Sequence, residues 1–217
     1  MTAWAEERER MVRDQIVARG IKNARLIAAL RRIERHRFVP DMENPYSYDD
    51  RPLPIGFSQT ISQPYIVALM TELLDLNGKE KILEVGSGSG YQTALLAELG
   101  GKVYAIERIG ELQERAQTTL SDLGYGRVHF RIGDGSTGWG EAAPFDRILI
   151  AAAAPDIPKS LTDQLAVDGK MVIPVGSKWQ QMLYLIQKSA AGALKATKHG
   201  GCVFVPLIGQ EGWSAAS

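Results

Sequence analysis

A short apolar strand that runs directly into three alternating glycines, KILEVGSGSGY at residues 81–91, constrains this chain more than any other feature. Glycine permits the tight turn such a junction needs and lets a ligand approach the backbone, while the next helix offers free N–H groups. A strand-to-helix turn without a ligand has no need of three glycines in five residues. The dinucleotide fingerprint places glycines at its first, third and sixth positions. Here they are Gly86, Gly88 and Gly90, and the sixth position is Tyr91. Glu84, two residues ahead of the loop, would repel a pyrophosphate and suits a ligand carrying positive charge.

Around this loop the pattern alternates. Helices are expected over 64–75, 90–99, 110–121 and 158–166, and strands over 81–85, 102–107, 127–132, 146–151 and 170–175. Such alternation specifies an α/β fold, a doubly wound, mostly parallel sheet covered on both faces. The last strands, near 181–187 and 202–207, have no helix between them, so antiparallel C-terminal pairing is expected. Residues 1–40 read as two helices, with Gly20 ending the first and Asn23 capping the second. Ten basic residues stand against five acids in that segment, interleaved with an apolar stripe, which is the pattern of a solvated helix face. Between 40 and 62 no period survives, and Pro40, Pro45, Pro52 and Pro54 exclude a helix. Its aromatics favour an ordered binding loop over disorder.

Composition narrows the function classes. Lys+Arg and Asp+Glu both number 25, which argues against nucleic acid or an anionic membrane as partner. The longest apolar run, residues 148–154, is far below the ~18 residues of a spanning helix, and no secretory leader pattern opens the chain. A single Cys and scattered His36, His129 and His199 offer no metal site. These features describe a cytoplasmic chain of one domain, expected to act as a monomer.

Two further carboxylates follow at strand ends. Glu107 lies 21 residues after Gly86, where an acid accepts hydrogen bonds from ribose hydroxyls, and Asp134 sits in a GDG at residues 133–135. Acids at successive strand ends, without the lysine of a P-loop, describe a nucleoside site lacking phosphate. S-adenosyl-L-methionine has that chemistry. Over residues 80–175 the order of loop, acid and GDG resembles the class I S-adenosylmethionine-dependent methyltransferases.

The resemblance then becomes closer. LPIGFSQTISQPY (53–65), EVGSGSGYQTA (84–94), APFD (143–146), AAAAP (151–155), VIPVG (172–176) and FVPL (204–207) are similar to the motifs of the protein-L-isoaspartate O-methyltransferases. This resemblance implies a repair enzyme that methylates the free α-carboxylate of isoaspartyl residues in damaged proteins and peptides. It divides the chain into a helical cap (1–40), a substrate and active-site loop (41–65) and a Rossmann-like cofactor-binding core with C-terminal strands (66–217). It places the active-site serine on Ser62, and the cofactor on Gln59, Thr60, Glu84, Gly86, Ser87, Gly88, Glu107, Asp134 and Gly135, with no metal. No contact is carried onto Tyr65 or Ile208, where the pattern varies. Read as a residue alone, Ser62 just ahead of Pro64 is also a good helix N-cap, and Trp139 can pack over the site or fill a loop. A methyltransferase of small metabolites, a non-catalytic cofactor sensor and a dehydrogenase compete. The first does not predict residues 59–64, Ser62 beside an intact glycine loop speaks weakly against the second, and the last is disfavoured by the displaced glycine and Glu84.

Overall fold

The computed structural model describes residues 3–214. Residues 1, 2 and 215–217, expected at the outer ends of the cap and of the core, lie outside the described residues. Helix α1 (Ala3–Arg10) continues through a π-helical stretch, Met11–Ile16, and a 3-10 turn, Val17–Arg19. The wider π turn brings Met11, Val12 and Ile16 all into the core. Gly20 ends the run at φ 97°, a left-handed stop that suits glycine. In α2 (Ala24–Arg32) the Asn23 side chain accepts from Leu26 N at 3.1 Å, and Leu26, Leu30 and Ile33 turn inward. The basic residues of this cap are largely paired, Arg8 with Glu34, Arg31 with Glu9 and Arg13 with Asp14.

Residues 40–62 are less irregular than their composition suggests. They contain an antiparallel hairpin, β1 (Leu53–Gly56) and β2 (Gln59–Ile61). Leu53, Ile55 and Ile61 point inward, and left-handed Phe57 and Ser58 form the turn. Alternation over so few residues leaves no readable period. Ser62 is not the cap of α3 (Pro64–Leu74). That position falls on Gln63, which makes no side-chain cap bond. Pro64 takes the first helical position, which suits its fixed φ and missing N–H and puts Ser62 one residue ahead of the cap position.

The core then alternates through β3 (Lys81–Val85), α4 (Tyr91–Leu99), β4 (Lys102–Glu107), α5 (Gly110–Asp122), β5 (His129–Ile132), β6 (Phe145–Ile150), α6 (Lys159–Gln164), β7 (Leu165–Gly176), β8 (Gln181–Lys188) and β9 (Leu194–Cys202). The seven strands lie in the order β5-β4-β3-β6-β7-β8-β9. Pairing is parallel from β5 to β7 and antiparallel for β7-β8 and β8-β9. Side chains alternate between two apolar layers. Ile82, Val103 and Leu149 pack under the cap, α3, α4 and α5, while Leu83, Ile106, Ile148 and Ile150 face α6. Burial on both faces explains why these strands read as nearly continuous apolar runs.

The final strand differs from its expected place. It spans 194–202, and residues 203–207 are an irregular segment held by Ala153 N to Val205 O and Leu207 N to Ala153 O, both 2.8 Å. As the sheet edge, β9 exposes most of its polar residues and shows no apolar face, whereas the apolar 203–207 run buries Phe204 and Leu207 and pairs only through the isolated parallel bridge of Pro206 with Ala153. Trp139 is half-buried edge-on against Tyr104, away from the cleft described below.

Replacing Asn23 by Ala removes a cap hydrogen bond and should cost about 1 kcal/mol of stability. For a chain of this size that lowers Tm by roughly 2–4 °C, which thermal denaturation will detect; an unchanged Tm would mean the cap contributes nothing.

Candidate active site

Four parallel strands end at one edge of the sheet. There Gly86 after β3, Glu107 at the end of β4, Gly133 and Gly135 after β5, and Ala151 and Ala152 after β6 line a cleft of about 940 Å3, part of it open to solvent. Its position follows from topology. The chain lays β4 and β5 on one side of β3 and then returns to place β6 on the other, so the loops diverge at that boundary. Gln59, Thr60, Ile61 and Ser62 from the hairpin, and residues 205–208, close the cleft from the opposite side.

The glycine loop needs its glycines for conformation and for space. Gly86, Gly88 and Gly90 have φ of 85°, 51° and 88°, a region that favours glycine. A Cβ on Gly90 would press on Ala116 and Leu120 of α5, at 3.1 and 3.2 Å. Past β5, a Cβ on Gly135 would overlap the Val85 side chain, so the backbone approaches the floor of the cleft as closely as it can.

Glu107 organises this edge. One carboxylate oxygen accepts from Gly88 N at 2.9 Å, and the other accepts from Arg108 N at 2.8 Å and Ile109 N at 3.0 Å. The residue is only 7% exposed yet still lines the cleft. Ser87 also lines it, buried, with a hydroxyl that has no hydrogen-bond partner. A polar ligand in the cleft would satisfy that hydroxyl.

Two expected site residues stand outside the lining. Glu84 is fully buried beneath the loop, and neither carboxylate oxygen has a hydrogen-bond partner. Loss of hydration pushes its pKa up to about 8; the adjacent Thr93 hydroxyl pulls it down, and the charge of Glu107 adds to the rise. Asp134 turns away from the cleft: one oxygen accepts from Ser136 N and Oγ at 2.8 and 2.7 Å, the other from Gln210 N at 2.7 Å. It thereby ties the C-terminal segment across the site, while Gly135 beside it faces the cleft. Gln59, Thr60, Ser62, Gly86, Ser87, Gly88, Glu107 and Gly135 are therefore gathered around one space, with Glu84 and Asp134 behind its walls.

Ser62 is half-buried and lines both the cleft and a neighbouring groove. Groove and cleft share Thr60, Ser62, Ala151 and Val205, so the serine stands where the two meet. Cys202 lines the groove as well, and burial pushes its thiol up to about 11, which favours the protonated thiol at neutral pH. Sequence reasoning missed Gln92 and residues 205–208 as lining. Gln92 lay concealed in a helical apolar pattern, and 205–208 in an expected strand; the proline at 206, which interrupts a ladder, was the available signal. Among the described residues, no group of three or more His, Cys, Asp or Glu is placed to hold a metal.

Comparison with known proteins gives a consistent result. The family described as Protein-L-isoaspartate(D-aspartate) O-methyltransferase matches residues 6–212. Protein-L-isoaspartate O-methyltransferase 2 of Geotalea uraniireducens is 55% identical over 207 residues, 95% of each chain. The Syntrophus aciditrophicus protein-L-isoaspartate O-methyltransferase is 53% identical over 99% of each. A solved protein-L-isoaspartate O-methyltransferase superposes with a TM-score of 0.84 at 26% identity, covering 94% of this chain and 67% of that one. A Plasmodium falciparum structure titled as such an enzyme in complex with S-adenosyl-L-homocysteine shares the fold, with a TM-score of 0.78 at 23% identity over 96% of this chain and 99% of that one.

The state of Glu84 has a measurable consequence. Its carboxyl stays protonated in the fold up to about pH 8 but ionises near 4.5 in an open chain. The folded state therefore holds the extra proton between those values, and stability falls as pH rises through that window. Measured without ligand by urea denaturation, Glu84→Gln should gain stability relative to the parent progressively from pH 5 to pH 8. A difference independent of pH would contradict the buried, protonated carboxyl.

Proposed function

The chain belongs to the protein-L-isoaspartate O-methyltransferase family, and on that premise we propose a role for each group around the cleft. The enzyme transfers a methyl group from S-adenosyl-L-methionine to the free α-carboxylate of L-isoaspartyl residues. The resulting ester closes to a succinimide, which reopens in part as normal aspartyl, so damaged protein is repaired. When bound, S-adenosyl-L-methionine supplies an electrophilic methyl on a sulfonium. The residues present fit such a ligand: a glycine cradle, the partnerless Ser87 hydroxyl, a carboxylate at the cleft wall and a buried acid beneath the loop.

In this reading Gly86, Ser87 and Gly88 hold the amino-acid end of the donor, and Gln59 and Thr60 border it. Glu107 accepts from the ribose hydroxyls, and Gly135 packs beside adenine. Asp134 acts through the segment it ties down. Glu84, protonated in the empty protein, faces the donor's positive charge from below and is the group whose ionisation that charge favours.

The acceptor carboxylate has an ordinary pKa near ~3.5 and is already ionised at neutral pH, so it requires no general base. It requires alignment and exclusion of water, and orientation alone can contribute ~7–11 kcal/mol toward the barrier. Ser62, at the junction of groove and cleft, donates a hydrogen bond that orients this carboxylate. The hairpin carrying Gln59 to Ile61 covers the reacting groups from water. That Ser62 lines both spaces at their junction is the observation that carries this assignment.

The partner is an isoaspartyl-containing protein or peptide and not nucleic acid, in keeping with a formal net charge of zero. We place the enzyme in the cytoplasm as a monomer; among the described residues no helix is long and apolar enough to cross a membrane.

Labelled methyl transfer to two peptides differing only in isoaspartate against aspartate tests the reading. Base-labile label is expected in the isoaspartyl peptide alone, and equal or no labelling would refute it. Ser62→Ala removes a hydrogen bond to a charged group worth ~1.5–3 kcal/mol, so kcat/KM for the peptide should fall about 10- to 100-fold while the donor KM holds. Full retention of kcat/KM would remove Ser62 from the site.

A further inference from the structure

The groove beside Ser62 carries a positive charge that methyl transfer does not use. Among the residues lining it there is no Asp, Glu or Lys, and Arg19 is the one permanently charged side chain. Arg19 lies at the end of the first helical run, 43% exposed, and reaches the groove across the Tyr65 ring, its guanidinium carbon 3.4 Å from the ring centroid. Its Nη1 donates to Asp50 Oδ2 at 2.6 Å, and Gln63 Nε2 donates to the same oxygen at 2.7 Å. Stacking on one side and a fixed carboxylate on the other hold the guanidinium in place before any substrate arrives, which reduces the ordering cost of binding.

Asp50 does not exhaust this guanidinium. Its bond to Arg19 is made to Nη1 alone, out of the five N–H donors an arginine carries, and the side chain stays partly exposed at the groove, where solvent and substrate can reach it.

Arg19 lines the groove but not the cleft. The reacting carboxylate must lie at the Ser62 end, where groove and cleft join, so the arginine meets a different part of the substrate. We propose that Arg19 is a specificity-determining residue that receives a second carboxylate of the substrate, from an acidic residue flanking the isoaspartyl site, so that this enzyme favours isoaspartyl sites in acidic surroundings. The inference rests on the isoaspartyl methyltransferase reading and adds a substrate preference to it.

Two isoaspartyl peptides that differ only in carrying Glu or Gln at the positions on either side of isoaspartate provide the test. With the parent enzyme kcat/KM should be roughly threefold higher for the Glu peptide, the scale of a partly exposed ion pair, mainly through KM. The ratio should shrink toward one as salt is raised from 0.05 to 0.5 M, because such pairs are screened. Arg19→Gln should bring the ratio to one at low salt, and Arg19→Lys, which keeps the charge, should preserve part of it. A ratio of one in the parent enzyme, or a preference that survives Arg19→Gln, overturns the inference while leaving the methyltransferase reading intact. Methylation of neither peptide by the parent enzyme would instead refute the reading on which it rests.

Discussion

A single carboxylate holds the working edge of this molecule together. Glu107 ends β4 and accepts from Gly88 in the glycine loop and from Arg108 and Ile109 at the start of the next connection. Backbone N–H groups in tight turns and near helix starts lack partners within the ladder, and leaving them buried and unpaired is costly. Glu107 satisfies three of them from two separate segments. Loop, strand end and the approach to α5 are thereby fixed relative to one another. The glycines can then adopt left-handed conformations, since the bonds that define the turn are completed from outside it.

The rest of the site is arranged around that fixed edge. Parallel strands packed on both faces deliver their carboxyl ends to one side, and the change of direction between β3 and β6 opens the space. The hairpin of residues 53–61 and the irregular 203–207 segment close it from above, and the Asp134–Ser136–Glu211 bonds anchor the C-terminal loop over it. Glu84 contributes in a different manner. A partnerless carboxyl under the loop is a local cost in the empty protein, and in our reading a cationic donor above it offsets that cost.

The parallel core was legible because its signals are strong and local. Residues 81–107 carry apolar strands, glycines at a strand end and a carboxylate at the expected distance, and each falls where those rules place it. Asn23 and Gly20 were readable for the same reason, since a cap and a left-handed stop involve only neighbouring residues. Features decided by distant contacts were not. The edge strand β9 has no apolar face to read, and the apolar 203–207 run buries Phe204 and Leu207 while pairing with Ala153 through a single isolated bridge and not as a strand. Ser62 resembled a cap by residue type alone; with Pro64 at the first helical position the cap falls on Gln63, one residue later. The withdrawal of Glu84 and Asp134 behind the walls depends on which way side chains turn, and spacing alone does not specify that.

Binding of S-adenosyl-L-methionine to the parent protein and to Glu107→Gln, followed by calorimetric titration with circular dichroism as a check on folding, tests the central role of this carboxylate most directly. The account predicts a folded variant whose Kd is higher by about tenfold or more, because the substitution removes the charge that strengthens these hydrogen bonds. A folded variant with the parent Kd would show that neither the loop nor the donor depends on Glu107, and the account of the site would be wrong.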